Sequence, residues 1–216
     1  NIPDIVDVNK LIEILGDLGV KIEKLAKGSY SFQSDNINLN HLYTDDFRDK
    51  GGRLRGSIMI VGPLLARFCQ AAIPRPGGDK IGRRRLDTHF IGFEKLGADF
   101  YYDDKKGFFE ITAKKLNGTF MLLEEASVTG TANIIMAASL AKGITTIYNA
   151  ACEPYLQQLC KMINLMGGKI SGVGSNKLVI EGVKSLRGCE HRVLPDMIEI
   201  GSWIGLAAMT QSELTI

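Results

Sequence analysis

The segment from Pro74 to His89 carries the side chains with the most evident chemical use in this sequence. Its two prolines and three glycines exclude a regular helix or a central strand. Arginine outnumbers lysine among its five basic side chains, which are Arg75, Lys80, Arg83, Arg84 and Arg85. Because the planar guanidinium binds phosphate and carboxylate groups in a bidentate manner, we expect a loop that meets anions. A solvated basic loop is the alternative.

Asp79 is an acidic residue that lies among these cations, and it follows Gly77-Gly78 directly. One interpretation is a turn residue whose carboxylate is satisfied by local hydrogen bonds. The other is a carboxyl group that takes part in the chemistry of the loop. The residues alone leave both open.

Two further stretches combine polar residues with the predicted start of a helix. Arg55 comes just before Gly56-Ser57, and Ser127, Val128, Thr129 and Gly130 occupy the equivalent place in the next unit. The free backbone N–H groups and the positive dipole end of a helix would reinforce anion binding there. Helix capping is the alternative for both.

A repeated phrase predicts the elements that must position these residues. Apolar residues at helical spacing precede Gly19, Gly97 and Gly167, each of which follows the last apolar residue as a helix C′ cap would. A strand is expected after each cap. A second phrase, Gly56-Ser57, Gly130-Thr131 and Gly201-Ser202, opens three stretches so apolar that we expect helices inside a domain.

Period-two alternation with β-branched and aromatic residues predicts strands over 29–32, 108–112 and 177–180. The repeating unit is therefore α/β, about 70 to 80 residues long, and its simplest packing is three sheets around central helices. The third unit is expected to end near Leu194, with a boundary at Pro195-Asp196.

The composition excludes several classes of protein. Apolar residues make up 45% and charged residues 23% of 216 residues, which excludes disorder, collagen and small disulfide scaffolds. The longest apolar run, 58–66, contains Gly62 and Pro63 and is far shorter than the roughly 20 residues of a membrane span. We therefore expect no membrane insertion.

The net charge and the spacing of the cysteines and histidines limit the kinds of ligand and partner that we expect. The net charge is +2, from 26 basic and 24 acidic side chains, so no nucleic-acid partner is expected. The four cysteines form no CxxC pair and the three histidines are scattered, so no metal site is expected. We expect the cysteines to be free, buried thiols in a reducing cytoplasm. Because the chain starts with Asn1 and shows no signal peptide, we expect an internal piece of a longer chain.

Several phrases together resemble the UDP-N-acetylglucosamine 1-carboxyvinyltransferases (the MurA family), which belong with the shikimate-pathway enolpyruvyl transferases. The resemblance runs over essentially all 216 residues. The phrases that carry it are Arg55-Gly56-Ser57, Gly62-Pro63-Leu64-Leu65-Ala66-Arg67-Phe68, Pro76-Gly77-Gly78, Ile81-Gly82, Leu86-Asp87, His89, Ser127-Val128, Asn149-Ala150-Ala151, Glu153-Pro154 and Val193-Leu194-Pro195-Asp196.

The resemblance implies a fold of inside-out α/β barrels, each built from three repeats, of which this chain holds an incomplete set. Residues 1–194 would form most of one barrel domain with the catalytic loop, and 195–216 would begin the second. The family's N-terminal Lys-Asn pair and its Asp base toward the sugar would lie outside the chain. The fragment alone is therefore expected to be inactive.

The resemblance also implies roles for individual residues. Arg55 matches the arginine that contacts the UDP-sugar, and Arg84 matches the loop arginine that meets the phosphate of phosphoenolpyruvate. The stretch that holds the uridine side corresponds to Arg85, Leu86, Asp87 and Thr88, where the family often has Pro-Val in place of Arg85-Leu86. The second nucleotide-binding stretch corresponds to Glu125, Ala126, Ser127 and Val128, where the family commonly has Lys in place of Glu125.

Asp79 falls on the family's loop cysteine, the general acid toward phosphoenolpyruvate and the residue that fosfomycin alkylates. Some members carry Asp there. A protonated carboxyl group can deliver a proton to the methylene carbon, so the acid role would survive the exchange. A carboxylate is a much poorer nucleophile than a thiolate, so resistance to fosfomycin is expected.

The function implied is transfer of the enolpyruvyl group from phosphoenolpyruvate to the 3′-hydroxyl of UDP-N-acetylglucosamine, in cytoplasmic peptidoglycan synthesis. No metal or organic cofactor is implied. Two alternatives remain: a shikimate-type enolpyruvyl transferase, which the Pro-Gly-Gly-Asp loop disfavours, and a non-catalytic UDP-sugar-binding module.

Overall fold

A computed structural model of the chain describes residues 1–77 and 85–216. Within these ranges lie the α-helices α1 Val6–Asp17, α2 Asp45–Arg53, α3 Val61–Phe68, α4 Asp87–Lys95, α5 Val128–Ala138, α6 Pro154–Leu165 and α7 Met197–Thr210. Two short 3-10 helices, Leu39–Tyr43 and Arg55–Ile60, precede α2 and α3. The helices of the described ranges include none that is both long and apolar enough to cross a membrane.

The strands of the described chain form three sheets, as the repeats predicted. They are β1 Lys21–Ala26, β2 Ser29–Gln33, β3 Gln70–Pro74, β4 Ala98–Asp103, β5 Phe108–Ala113, β6 Phe120–Leu122, β7 Ile144–Tyr148, β8 Lys169–Ser171 and β9 Lys177–Glu181. The sheet orders are β1-β2, β3-β5-β4 and β6-β7-β9-β8, and among these described strands only the β6-β7 pair is parallel. The three predicted strands are confirmed as β2, β5 and β9.

The glycine phrase ends three helices in the same way. Gly19, Gly97 and Gly167 follow α1, α4 and α6 with φ of 96°, 97° and 98°, a left-handed conformation that costs glycine little. A strand follows each of these glycines within four residues. The predicted helix, cap and strand are therefore confirmed in all three units.

Helices α3 and α5 lie in the core, and α5 also packs on α4. A glycine at each of these two helix contacts lets the helices approach closely. A Cβ on Gly62 would lie 2.5 Å from the carbonyl oxygen of Asn133, and a Cβ on Gly92 would overlap the side chain of Ile134. This packing brings the beginnings of α4 and α5 side by side.

The third apolar helix, α7, departs from the prediction that all three lie inside a domain. It contains no buried residue, and Met209 is 87% exposed. The prediction of burial is wrong for α7, because no neighbouring element of the described chain covers it. Gly201 also lies inside this helix instead of opening it, since Asp196 caps the N-terminus by accepting from the N–H of Ile198 at 2.8 Å.

Candidate active site

The beginning of α4 holds four of the predicted site residues. Arg85 is exposed and Leu86 is the N-cap residue, while Asp87 and Thr88 form the first turn and are half-buried. The Nε of Arg85 donates to Oδ2 of Asp87 at 2.5 Å. Arg55, in the 3-10 helix before α3, donates from Nη2 to the carbonyl oxygen of Arg85 at 3.0 Å. A predicted sugar-nucleotide arginine therefore holds the backbone of the predicted uridine-binding stretch.

Asp79 and Arg84 lie in the segment 78–84, outside the described residues. The two described residues that border this segment each have a close contact with residues 52–55. A Cβ on Gly77 would overlap the carbonyl oxygen of Gly52, at the end of α2, so only glycine fits there. At the other border, Arg85 is held by Arg55 itself.

The second predicted stretch leads into α5. Glu125 and Ala126 are exposed in the turn that precedes the helix, and Val128 is the first helical residue. Ser127 is the N-cap residue, and its Oγ accepts from the N–H of Gly130 at 3.2 Å. The capping alternative is thus correct for the Ser127 side chain, which does not exclude binding by the free N–H groups of the first turn.

The two stretches form one site, because the first turns of α4 and α5 touch. A Cβ on Gly130 would lie 2.7 Å from Cγ2 of Thr88, which explains the glycine. Asp87 raises the pKa of Arg85 above its ordinary value, and the carboxylates of Glu124 and Glu125 add to this effect. Asp87 is therefore the main carboxylate partner of Arg85.

A buried hydrogen-bond chain lies beneath this contact. Asn133 of α5 donates from Nδ2 to the carbonyl oxygen of Ile58 at 2.8 Å and to Nδ1 of His89 at 2.9 Å. The other ring nitrogen, Nε2 of His89, lies 3.2 Å from Oγ1 of Thr129. Burial, with a smaller effect of the Arg55 charge, lowers the pKa of His89 to about 4. The imidazole is therefore neutral at pH 7.

His89 and Asn133 are absent from the site residues predicted from sequence, and Thr129 was predicted only as part of the helix start that could bind an anion. A signal for Asn133 exists: an amide among the apolar residues of α5 indicates a buried hydrogen-bonding centre, because an unsatisfied amide would be costly there. His89 directly follows the predicted stretch, yet nothing in the sequence indicates that its ring points toward α5.

One cluster in the described part of the chain has the residue types of a metal site. Donor atoms of Asp17, His41 and Asp46 lie within 4.8 Å of one another. The ammonium of Lys50 lies 2.6 Å from Asp17 and 3.0 Å from Asp46, and Asp17 is the largest cause of its raised pKa. The cluster thus surrounds a lysine and joins α1 to α2. The four cysteines are free thiols, but the expectation that they are buried holds only for Cys160, since Cys69 is half-buried and Cys152 and Cys189 are exposed.

The site combines features that suit an anionic, oxygen-rich ligand. Two guanidinium groups, those of Arg55 and Arg85, lie beside two helix N-termini, which attract negative charge. The neighbouring acids Asp87, Glu124 and Glu125 balance Arg85 and can accept from hydroxyl and N–H groups. This arrangement fits a polar molecule that carries phosphate and hydroxyl groups.

Comparison with known proteins gives a consistent result. The sequence profile of the EPSP synthase (3-phosphoshikimate 1-carboxyvinyltransferase) family matches residues 1–216. The UDP-N-acetylglucosamine 1-carboxyvinyltransferase of Bacteroides thetaiotaomicron is 63% identical over 100% of this chain and 50% of that relative. The protein of the same name from Treponema denticola is 51% identical over 100% of this chain and 49% of its own length. The chain thus spans about half the length of the curated relatives it matches.

Solved structures agree on the fold. The enolpyruvyl transferase NikO from Streptomyces tendae superposes with a TM-score of 0.76 at 19% identity, over 94% of this chain and 47% of NikO. EPSP synthase from Acinetobacter baumannii superposes with a TM-score of 0.60 at 18% identity, over 84% of this chain and 40% of its own. The resemblance and the α/β fold of the enolpyruvyl transferase type are thereby confirmed. On the whole-length profile match, the chain belongs to the EPSP synthase (3-phosphoshikimate 1-carboxyvinyltransferase) family.

Proposed function

We propose that this chain takes part in transferring the enolpyruvyl group of phosphoenolpyruvate to the 3′-hydroxyl of UDP-N-acetylglucosamine, with release of phosphate. The observation that carries the proposal is 63% identity, over the whole chain, to a relative named UDP-N-acetylglucosamine 1-carboxyvinyltransferase. The reaction would serve peptidoglycan synthesis in the cytoplasm.

The geometry supports a division of labour at the site. Arg55 fixes the backbone of Arg85 by a hydrogen bond to its carbonyl oxygen. Leu86, Asp87 and Thr88 follow Arg85 directly, and together these four residues form the proposed uridine-binding stretch. Ser127 and Val128 would present backbone N–H groups to the diphosphate from the start of α5. Preorganised donors of this kind need no rearrangement when the charged ligand arrives.

Glu125 and Ala126 would have a lesser role than their position in the second stretch indicates. Glu125 is exposed before α5, and its charge contributes only a small part of the raised pKa of Arg85, after the effect of Asp87. A carboxylate would also repel a diphosphate. We therefore assign the contacts of this stretch to the backbone and to Ser127.

Addition and elimination through a tetrahedral ketal is the mechanism we propose. Asp79 would act as the general acid toward the methylene carbon, and Arg84 would stabilise the phosphate charge as it develops. Both roles rest on the family resemblance of the loop. Arg85, which directly follows this segment, is held by Arg55, one of the proposed sugar-nucleotide residues.

The proposal also divides the chain at residues 194 and 195. Residues 182–196 contain no helix or strand, and the α7 helix that follows has no buried residue. An apolar helix without a covering element fits the first segment of a second domain better than the end of the first.

A chimera tests the proposed function, with this chain replacing the matching half of the Bacteroides thetaiotaomicron relative. We expect the chimera to release phosphate from phosphoenolpyruvate only when UDP-N-acetylglucosamine is present. The 216-residue chain alone should show no such release, because groups on both sides of the reacting atoms supply the rate. Release that depends instead on 3-phosphoshikimate would contradict the proposal and support the shikimate-type alternative.

A pair of substitutions in the chimera separates a phosphate-binding role from general basic character. Arg84→Ala should lower kcat by on the order of 10² to 10³, the usual cost of losing a charged contact to a developing anion. Arg83→Ala is the matched control, since the resemblance places only Arg84 on the reacting phosphate. Steady-state assays with both substrates provide the measurement. Equal losses would show that the basic run acts as an undifferentiated patch.

A further inference from the structure

The Thr129 hydroxyl is a polar group that none of the proposed roles uses. Thr129 is exposed, and it is the second helical residue of α5, directly after the proposed nucleotide-binding residues Ser127 and Val128. Its Oγ1 lies 3.2 Å from Nε2 of His89, which is only 2% exposed. The hydroxyl therefore sits where a buried polar chain reaches the surface of the site.

The orientation of the Asn133 amide follows from its partners. Its Oδ1 accepts from the N–H of Gly62 at 2.8 Å, so its NH2 group is the one that faces Ile58 and His89. An NH2 group can only donate, so Nδ1 of His89 must accept. A neutral imidazole carries a single N–H, and that hydrogen must then lie on Nε2.

This tautomer determines the role of the Thr129 hydroxyl. Because Nε2–H of His89 donates to Oγ1, the hydroxyl hydrogen of Thr129 is directed to another acceptor. Ser139 and Thr210 donate theirs to the carbonyl oxygens of Ile135 and Leu206, four residues earlier. Thr129 lies in the first turn, where no helical carbonyl occupies that place. Residues 1–77 and 85–216 supply no acceptor for its hydrogen.

The surroundings of this hydroxyl favour an acceptor with negative charge. The first-turn N–H groups of Val128 and Thr129 point away from the helix and lack helical acceptors. Arg85 directly precedes α4, whose first turn touches that of α5 through Thr88 and Gly130. A hydroxyl donor, two N–H donors and a guanidinium together suit phosphate oxygens.

We infer that the Thr129 hydroxyl is a further binding donor to the diphosphate of the sugar nucleotide, and that Asn133 and His89 are positioning residues that direct its hydrogen. This inference rests on the proposed function. It differs from capping by Ser127, because the donor is a side chain oriented from the core and not the end of a helix.

Two measurements test the inference. In the chimera, Thr129→Val should raise the Kd for UDP-N-acetylglucosamine roughly 10-fold or more, since a hydrogen bond to a charged group is lost. Thr129→Ser is the matched control and should keep the Kd close to that of the parent. UDP alone should show the same penalty with Thr129→Val, because it shares the diphosphate. Calorimetry provides all of these values.

The second measurement is independent of any ligand. Long-range ¹H–¹⁵N spectra of the chain should show the His89 ring protonated at Nε2, with His89→Gln used to assign the signal. Protonation at Nδ1 would overturn the inference. Equal Kd values for the parent and Thr129→Val would overturn it while leaving the proposed function intact, and a penalty absent with UDP would overturn the diphosphate assignment. A parent chimera that does not bind UDP-N-acetylglucosamine would overturn the proposed function and the inference together.

Discussion

Replacing Asp79 by Asn in the chimera should lower kcat by on the order of 10² to 10⁴, the range associated with loss of a general acid. An amide has nearly the size of the carboxyl group but cannot supply a proton to the methylene carbon of phosphoenolpyruvate. Binding of UDP-N-acetylglucosamine should persist, because Arg55, Ser127 and the helix N-termini are unchanged. Steady-state kinetics and calorimetry separate the two effects.

Fosfomycin distinguishes the acid role from a purely structural one. The parent chimera should resist it, and Asp79→Cys should become sensitive while keeping some turnover, because a thiolate attacks the epoxide far better than a carboxylate does. Asp104→Asn, an exposed aspartate in the turn between β4 and β5, is the matched control and should change neither property. Parental kcat in Asp79→Asn would mean that Asp79 is only a turn residue.

The chain should lose stability as the pH falls from about 6.5 to about 4, and His89 should account for about 3 kcal/mol of this loss. Burial holds the pKa of His89 near 4, whereas the unfolded chain takes up the same proton near 6.5. Between these values the unfolded state binds more protons than the folded state. Folding therefore becomes less favourable as acid is added, and the contribution levels off below the folded pKa.

Urea unfolding of the parent and His89→Gln at several pH values between 7.5 and 4 isolates this contribution. Carboxylates titrate in the same range, but they are common to both proteins. Glutamine does not titrate and can replace the contacts of the imidazole with Asn133 and Thr129. The variant should be less stable at neutral pH, and the difference should narrow by about 3 kcal/mol toward pH 4. Parallel pH curves would contradict the assignment of a buried neutral histidine.

Much of the fold could be predicted from local sequence. Gly19, Gly97 and Gly167 marked three helix ends correctly, because a C′ cap requires a left-handed backbone that glycine adopts at little cost. The strands β2, β5 and β9 were found because alternation along a half-buried strand is visible within a few residues. Features that depend on near neighbours in the chain can be seen in the chain itself.

Burial of α7 could not be predicted in this way. Its apolar residues are those of an interior helix, as in α3 and α5, yet none is buried. Composition determines how favourable burial would be, whereas a covering element must be supplied by the rest of the structure. The same apolar pattern therefore occurs in the buried helices α3 and α5 and in the exposed helix α7.

Some residues of the site could be predicted from the sequence, whereas others could be found only in the tertiary structure. Sequence motifs identified the family. They also identified as candidate site residues Arg55, the stretch from Arg85 to Thr88 and the stretch from Glu125 to Val128. Tertiary structure alone brought the two stretches together. It also added His89 and Asn133 and the contact of His89 with Thr129, and these contacts join residues 40 and 44 positions apart. These contacts exist because Gly62 and Gly92 let α3, α4 and α5 approach closely enough for a buried amide to reach an imidazole. Which side chains face each other across such a contact depends on how the helices pack, and spacing along one helix does not reveal it.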